Sequence, residues 1–253
     1  MLTVIGNTSR DIYINSDKNR ISGIGGSGFN IACAYQFSTG KNYKLITSIS
    51  QNTLSHFSNV NDILSLYDEI QNQFTFDHND ELVDSIIKTQ INTIHDEFLL
   101  NVSHLHFSIR TGINENLIES LINYCIKNKI AFSFDIIYSS LNFHKGIIIE
   151  YLNYPKFIFM NEREFKMLNR TPINSTLVIT SSEKIVLVGS IEKTIKVPKV
   201  IDKQIVNTIG AGDSFIGGFL SIYLNSGNIN KSIEKGINVA QNSLKAYGVK
   251  HLV

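Results

Sequence analysis

Apolar and polar positions follow two rhythms along this chain. "LTVIG" (2–6), "YKLITSIS" (43–50), "VSHLHFS" (102–108), "IAFSFD" (130–135) and "KFIFMN" (156–161) are apolar runs of strand length. Between them lie stretches with helix spacing: "GFNIACAYQF" (28–37), "INTIHDEFLLN" (91–101), "NENLIESLINYCIKN" (114–128) and "FHKGIIIEYL" (143–152). In the third of these, Leu117, Leu121, Ile122 and Cys125 share one face. "TLVITS", "KIVLVGS" and "TIKVPKV" predict further strands in quick succession. A helix after Asp213 and another near 229–247 close the chain.

Strand–helix alternation predicts an α/β fold, a mostly parallel central sheet with helices on both faces. In such folds chemistry sits in the loops at the carboxyl ends of the strands. Two segments break the rhythm. Residues 10–26 and about 71–92 alternate apolar and polar positions, which predicts a small sheet of two to four strands beside the main one. No repeat, low-complexity linker or second core is visible, so the expectation is a single domain over 1–253 carrying that small sheet.

Composition narrows the partners. Hydrophobic residues are 43%, charged residues 18% and the net charge is +1, which argues against a nucleic-acid surface or a polybasic membrane anchor. No window reaches the roughly 18 uninterrupted apolar residues of a membrane span. The N-terminus "MLTVIGNTSRDIYI" lacks the basic-then-apolar order of a signal peptide, so the cytoplasm is the expected location. Cys33 and Cys125 are far apart, without a CxxC partner, and are expected as reduced, buried thiols.

Candidate chemistry starts from "NTIGAGDSFIGGFL" (207–220). Gly210, Ala211 and Gly212 carry no bulky side chain, so backbone N–H groups there can approach a ligand closely. Phe215, Ile216, Phe219 and Leu220 recur at helix spacing, which starts a helix near Asp213. Its first N–H groups are unpaired and its dipole is positive at that end, so the bend is an anion pocket with a carboxylate at its lip. An anion hole beside a base suits phosphoryl transfer to a hydroxyl; a glycine turn with Asp213 as a cap is the plainer reading of the same residues.

In "GGSGFN" (25–30), Gly25, Gly26 and Gly28 permit close backbone approach, and Asn30 offers an amide that both donates to and accepts from a vicinal diol. Asp11 adds an acceptor on the same expected face. "MNEREF" (160–165) ends a strand with Asn161, Glu162 and Glu164, a set that suits hydrated Mg²⁺ or, more simply, starts a helix with solvated acids. His104 and His106 share one strand face with no third metal ligand nearby, which favours ordinary polar packing. Arg110, just past that strand, reads as a surface ion pair or an anion contact. Neither a Walker A loop nor a Rossmann glycine fingerprint is present, so any nucleotide is held by another device.

These constellations, in this order, resemble the ribokinase-like (PfkB-type) carbohydrate kinases. "NTIGAGDSF" looks like the family signature D-T-x-G-A-G-D-x-F, "GGSGFN" like its G-G-x-x-x-N motif, and "NERE" like its N-x-x-E element. "VITSSEKIVLV" (178–188) looks like the V-T-x-G-x-x-G strand pair near the nucleotide. Chain length and the "DSFIGGFL" to "AYGV" ending are most similar to the compact branch that includes fructosamine-type 6-kinases.

The resemblance implies transfer of the γ-phosphoryl group of ATP to a hydroxyl of a small sugar or sugar derivative. A nucleoside kinase of the same fold and a non-catalytic sugar- or nucleotide-binding regulator are its rivals. It implies Asp213 as base, with Gly210, Ala211 and Gly212 as anion hole. Asp11, Gly25, Gly26 and Asn30 would bind substrate, Thr180 and Ser182 would lie by the nucleotide, and Asn161 and Glu164 would organise Mg²⁺. The small sheet would be a reduced lid whose edge offers a route to a homodimer. Two positions depart from the pattern. Asn207 replaces the usual aspartate, which removes a charge that would order the loop or favour a monovalent cation. Ser182 replaces a glycine on the nucleotide side.

Overall fold

The computed structural model describes residues 2–49, 63–67, 72–87, 91, 93–110, 113–201 and 204–248. In chain order the strands are β1 (Leu2–Ile5), β2 (Ser9–Ile14), β3 (Arg20–Gly25), β4 (Lys44–Ile49), β5 (Ile63–Tyr67), β6 (Asn72–Phe76), β7 (Leu82–Ile86), β8 (His104–Ile109), β9 (Ala131–Ile136), β10 (Phe157–Asn161), β11 (Thr176–Thr180), β12 (Lys184–Gly189) and β13 (Lys193–Lys196). The helices are α1 (Ser27–Thr39), α2 (Glu115–Lys127), α3 (Tyr138–Glu150), α4 (Glu162–Leu168), α5 (Ala211–Ser226) and α6 (Ile229–Ser243). The chain divides into two compact units, Met1–Thr3 with Ile91–Lys199, and Val4–Gln90 with Val200–Val253.

In the unit built on 91–199, β8, β9, β10 and β11 are neighbours and run parallel, and β12 and β13 add antiparallel strands beyond β11. Every residue of β8 is buried, and so are most of β9, β10 and β11. Successive strand residues point to opposite faces, so continuous burial means that both faces are covered. This is the mostly parallel α/β arrangement that the alternation predicts.

In the other unit β4 pairs with β5 in parallel. A separate four-stranded sheet has the order β3-β2-β6-β7. It is formed by the two segments with strand-like alternation, 10–26 and 71–92. Helices α1, α5 and α6 pack closely because glycine removes side chains at their contacts. A Cβ on Gly217 would lie 2.5 Å from the Ile31 carbonyl oxygen in α1, and one on Gly218 3.0 Å from the Lys235 carbonyl oxygen in α6.

Two predicted elements differ. The helix expected over 91–101 is a single 3-10 turn, Asp96–Leu99. Over 93–100 only Leu99 is buried, so no apolar stripe is available to offset the cost of starting a helix. Helix α3 begins five residues before the expected 143, because Ser140 donates to the Ile109 carbonyl and Leu141 is buried. The strand β5 is additional to the predicted set.

Candidate active site

Helix α5 starts at Ala211 with Gly210 as its N-cap, at φ 81°, a left-handed conformation that glycine adopts without strain. No side chain caps this end. Asp213 therefore sits in the first turn of a helix whose positive end is left to the backbone. A Cβ built on Gly212 would meet no protein atom within 4 Å, so the bend opens onto free space.

Helix α1 also starts at a glycine, Gly26 at φ 96°, but its first N–H groups are taken by Asn7, whose Oδ1 accepts from Ser27 at 3.3 Å and whose carbonyl accepts from Gly28 at 3.2 Å. Asn30 is in its first turns, tied by its own N–H to the Gly26 carbonyl at 2.9 Å. The Asn30 amide Nδ2 donates to Asp213 Oδ2 at 2.9 Å. These two side chains, 183 positions apart in sequence, are the centre of the site. Asn30 Oδ1 is buried and has no hydrogen-bond partner. An unmade bond at a buried carbonyl costs roughly 1–3 kcal/mol.

Asp11 on β2 is 3% exposed. Ser9 donates to its Oδ1 at 2.7 Å and Tyr13 to its Oδ2 at 3.3 Å. Burial raises its pKa to about 6, against the pull of those two hydroxyls. Gly25 is needed here for a reason internal to the chain, since a Cβ on it would fall 1.8 Å from Asp11 Oδ2. A Cβ on Gly26 would fall 2.5 Å from the Asn7 carbonyl oxygen, and one on Gly28 2.7 Å from the Gly6 backbone. The glycine motif thus seats Asp11 and lets α1 start against the end of β1.

In the other unit, Asn161 ends β10 and caps α4 through a reciprocal pair. Its Oδ1 accepts from the Glu164 N–H at 2.9 Å, and Glu164 Oε2 accepts from the Asn161 N–H at 2.6 Å. Glu164 is buried, and burial raises its pKa to about 7 although backbone N–H groups of Asn161 and Tyr138 favour its charge. Thr180 pairs with Asn161 across β10 and β11, and its hydroxyl donates to the Met160 carbonyl at 3.4 Å. Ser182 is exposed in the β11–β12 turn. Among the described residues no group of three or more His, Cys, Asp or Glu could hold a metal ion. Asn161 and Glu164 alone suit an ion that keeps most of its water and binds the protein lightly, as Mg²⁺ does.

A buried polar ladder crosses β8 and β9. Ser133 Oγ bonds His104 Nε2 at 2.8 Å and His106 Nδ1 at 2.9 Å. Asp135 Oδ1 takes His106 Nε2 at 3.2 Å and the Ser108 hydroxyl at 2.5 Å, and Asp135 Oδ2 pairs with Arg110 at 2.6 Å. Burial would raise the Asp135 pKa, but Arg110 first, then His106 and Ser108, hold it below the usual carboxylate range. Burial and the neighbouring His106 lower the His104 pKa to about 3, so its imidazole is neutral. The histidines are polar packing, as their spacing suggests, and Arg110 is a largely buried ion pair rather than a surface one. Cys33 and Cys125 are free and buried, with burial raising both thiols to about 12.

Sequence reasoning missed the partners of these residues. Ser9 and Tyr13 recur at strand period beside Asp11, a signal that was available. Asp80, which accepts from Asn207 and Thr208, carries no local signal beyond a turn sequence.

The pfkB family carbohydrate kinase model matches residues 63–252, well over half of the chain. Two curated relatives match shorter stretches. A nucleoside kinase of Methanocaldococcus jannaschii is 26% identical over 99 residues, 35% of this chain and 32% of the relative. An adenosine kinase of Schizophyllum commune is 38% identical over 71 residues, 26% of this chain and 21% of the relative. The chain thus matches a third or less of the length of either relative. Solved structures agree over nearly everything. Adenosine kinase of Anopheles gambiae, in complex with P1,P4-di(adenosine-5) tetraphosphate, superposes with TM-score 0.82 at 17% identity, covering 98% of this chain and 96% of that one. The Methanocaldococcus jannaschii nucleoside kinase, an archaeal member of the ribokinase family, gives 0.77 at 18%, covering 100% and 94%. A carbohydrate kinase from Agrobacterium tumefaciens gives 0.70 at 14%, covering 99% and 95%. At these identities what is shared is the ribokinase-like fold.

Proposed function

The chain belongs to the pfkB family of carbohydrate kinases, and from that premise we propose that it transfers the γ-phosphoryl group of ATP to a hydroxyl of a small sugar or sugar derivative. The observation that carries this reading is the Asn30–Asp213 pair. One side of the amide fixes a carboxylate at the uncapped start of α5, and its other side is a buried oxygen awaiting a donor. An acceptor with two neighbouring hydroxyls suits both groups. One hydroxyl donates to Asn30 Oδ1, and the other faces Asp213.

Asp213 takes the proton of the reacting hydroxyl as its oxygen bonds to the γ-phosphorus and the bond from that phosphorus to the bridging oxygen of ADP breaks. The backbone N–H groups at Gly210 and Gly212 stabilise the charge on the moving phosphoryl group; that of Ala211, expected to join them, is held by the Thr208 carbonyl. Asp11, seated by Gly25 and Gly26, accepts from a further substrate hydroxyl. Thr180 and Ser182 are the residues assigned to contact the nucleotide. Asn161 and Glu164 would hold Mg²⁺, which when bound would neutralise phosphate charge. The four-stranded sheet acts as a lid that excludes water.

The same chemistry fits a nucleoside, whose ribose offers the same hydroxyls, and the adenosine and nucleoside kinases among the relatives favour that second reading. A panel of sugars, sugar amines and nucleosides, read by thermal shift and by ADP release, separates the two. Stabilisation and turnover with free sugars support the first; adenosine alone supports the second. Asp213→Asn lowers turnover with the working acceptor by about a hundredfold or more, the usual contribution of a positioned base. Turnover within a few-fold of the parent would remove Asp213 from its role.

A further inference from the structure

The neutral residue at 207 has a partner. The tip of the β6–β7 hairpin is a turn fixed by Asp77, whose Oδ1 accepts from the N–H groups of Asn79 at 2.9 Å and Glu81 at 3.0 Å. The Asp77 carbonyl accepts from the Asp80 N–H at 3.0 Å, and Asp80 adopts φ 62°. That geometry aims the Asp80 carboxylate at the two residues before Ile209 and Gly210. Oδ1 accepts from Asn207 Nδ2, and Oδ2 accepts from both the N–H and the hydroxyl of Thr208, at 2.6 and 2.8 Å. Asn207 is 1% exposed. Its own Oδ1 accepts from the Ile209 N–H at 3.2 Å, so its amide can turn only Nδ2 toward the hairpin. The Thr208 carbonyl then accepts from Ala211, the first residue of α5, at 3.2 Å.

We propose that Asp80 is a positioning residue for the phosphate-binding bend, and that it supplies from the hairpin the negative charge that the loop itself lacks at Asn207. The chain Asp80–Thr208–Ala211 sets where the first N–H groups of α5 lie. An aspartate at 207 would set two carboxylates face to face, and like charges at hydrogen-bond distance repel. The amide at 207 and the carboxylate at 80 are therefore a matched pair. Charge reaches the bend only while the hairpin is seated on it, so the small sheet is part of the transfer machinery as well as its cover. The catalytic half of this inference rests on the kinase reading above; the hydrogen-bond half does not.

The test compares the full chain with Asp80→Asn, Asn207→Asp and the exchanged pair carrying both. Amide hydrogen exchange of the 205–212 segment reads the clasp, and steady-state kinetics with the working acceptor read its role. Each single change raises exchange at Thr208 and Ile209 about tenfold, as expected for losing hydrogen bonds to a charged group. Each lowers kcat about tenfold with a smaller change in the acceptor KM, because misplaced donors act on the transition state. The exchanged pair restores both to within about threefold, since amide and carboxylate again face each other. Single variants that exchange like the parent overturn the clasp. A pair that restores exchange but not kcat overturns the positioning role. If the parent turns over no acceptor yet the exchange pattern is as stated, the kinase reading fails and the clasp stands.

Discussion

Two helices begin at chain corners rich in candidate chemistry, and they begin in opposite ways. At α4 the chain closes its own N-terminus, because Asn161 and Glu164 spend their side chains on each other's backbone. At α5 the chain leaves the end without a side-chain cap, with Gly210 at the cap position. Both corners carry a carboxylate at the third helical position, Glu164 and Asp213. In the first it is buried and bonded to its own helix; in the second it is half-buried and bonded to Asn30 of another helix. A helix start becomes available to an anion only where the sequence withholds its cap. Glycine at the cap position is the chemical means of withholding it.

The contrast breaks most visibly at the open corner. Gly212→Ala adds a methyl group in free space, so the fold keeps its stability while the proposed phosphoryl site is crowded, and kcat/KM falls about tenfold or more. Gly210→Ala forces a side chain into φ 81° and costs about 1–2 kcal/mol of stability as well as activity. Thermal unfolding beside ADP release separates the two. Equal loss of stability in both variants would mean that Gly212 is structural.

The closed corner answers to pH. Folding raises the Glu164 pKa from 4.5 to about 7, so the folded chain binds more protons than the unfolded one between those values. Stability from this group is present below pH 4.5 and is lost as pH rises towards 7. Glu164→Gln removes the titration, so the melting temperature of the variant gains on the parent from pH 4.5 to 7 and the difference is flat above. A difference independent of pH would mean that the carboxyl is charged throughout. The smallest effect is Asn161→Ala, which removes one cap and costs about 1 kcal/mol, read by denaturant midpoint.

The closed corner also shows how far local sequence carries. N-x-x-E before an apolar run is a capping box to the eye that looks for one. The same four residues also suit a metal, and "NERE" alone does not choose between them. The strands were legible because "HLHFSI" and "FIFMN" are unbroken apolar runs buried on both faces. The helix expected over 91–101 was not, because spacing alone says nothing about whether a partner surface exists. At the open corner, the glycine bend and Asp213 could be read from neighbouring residues. Asn30 as the partner of Asp213 could not, and nor could Asp80, since both bonds close loops of more than a hundred residues.

Gly217 carries a consequence for anyone who would reshape this protein. Its bare backbone against the Ile31 carbonyl works as a gauge block between the helix that bears Asn30 and the helix that bears Asp213. Loops and pocket walls can be rewritten for a new acceptor while that spacer stays. A single methyl group there would push the pair apart, and redesign of the residues around it would start from the wrong gap.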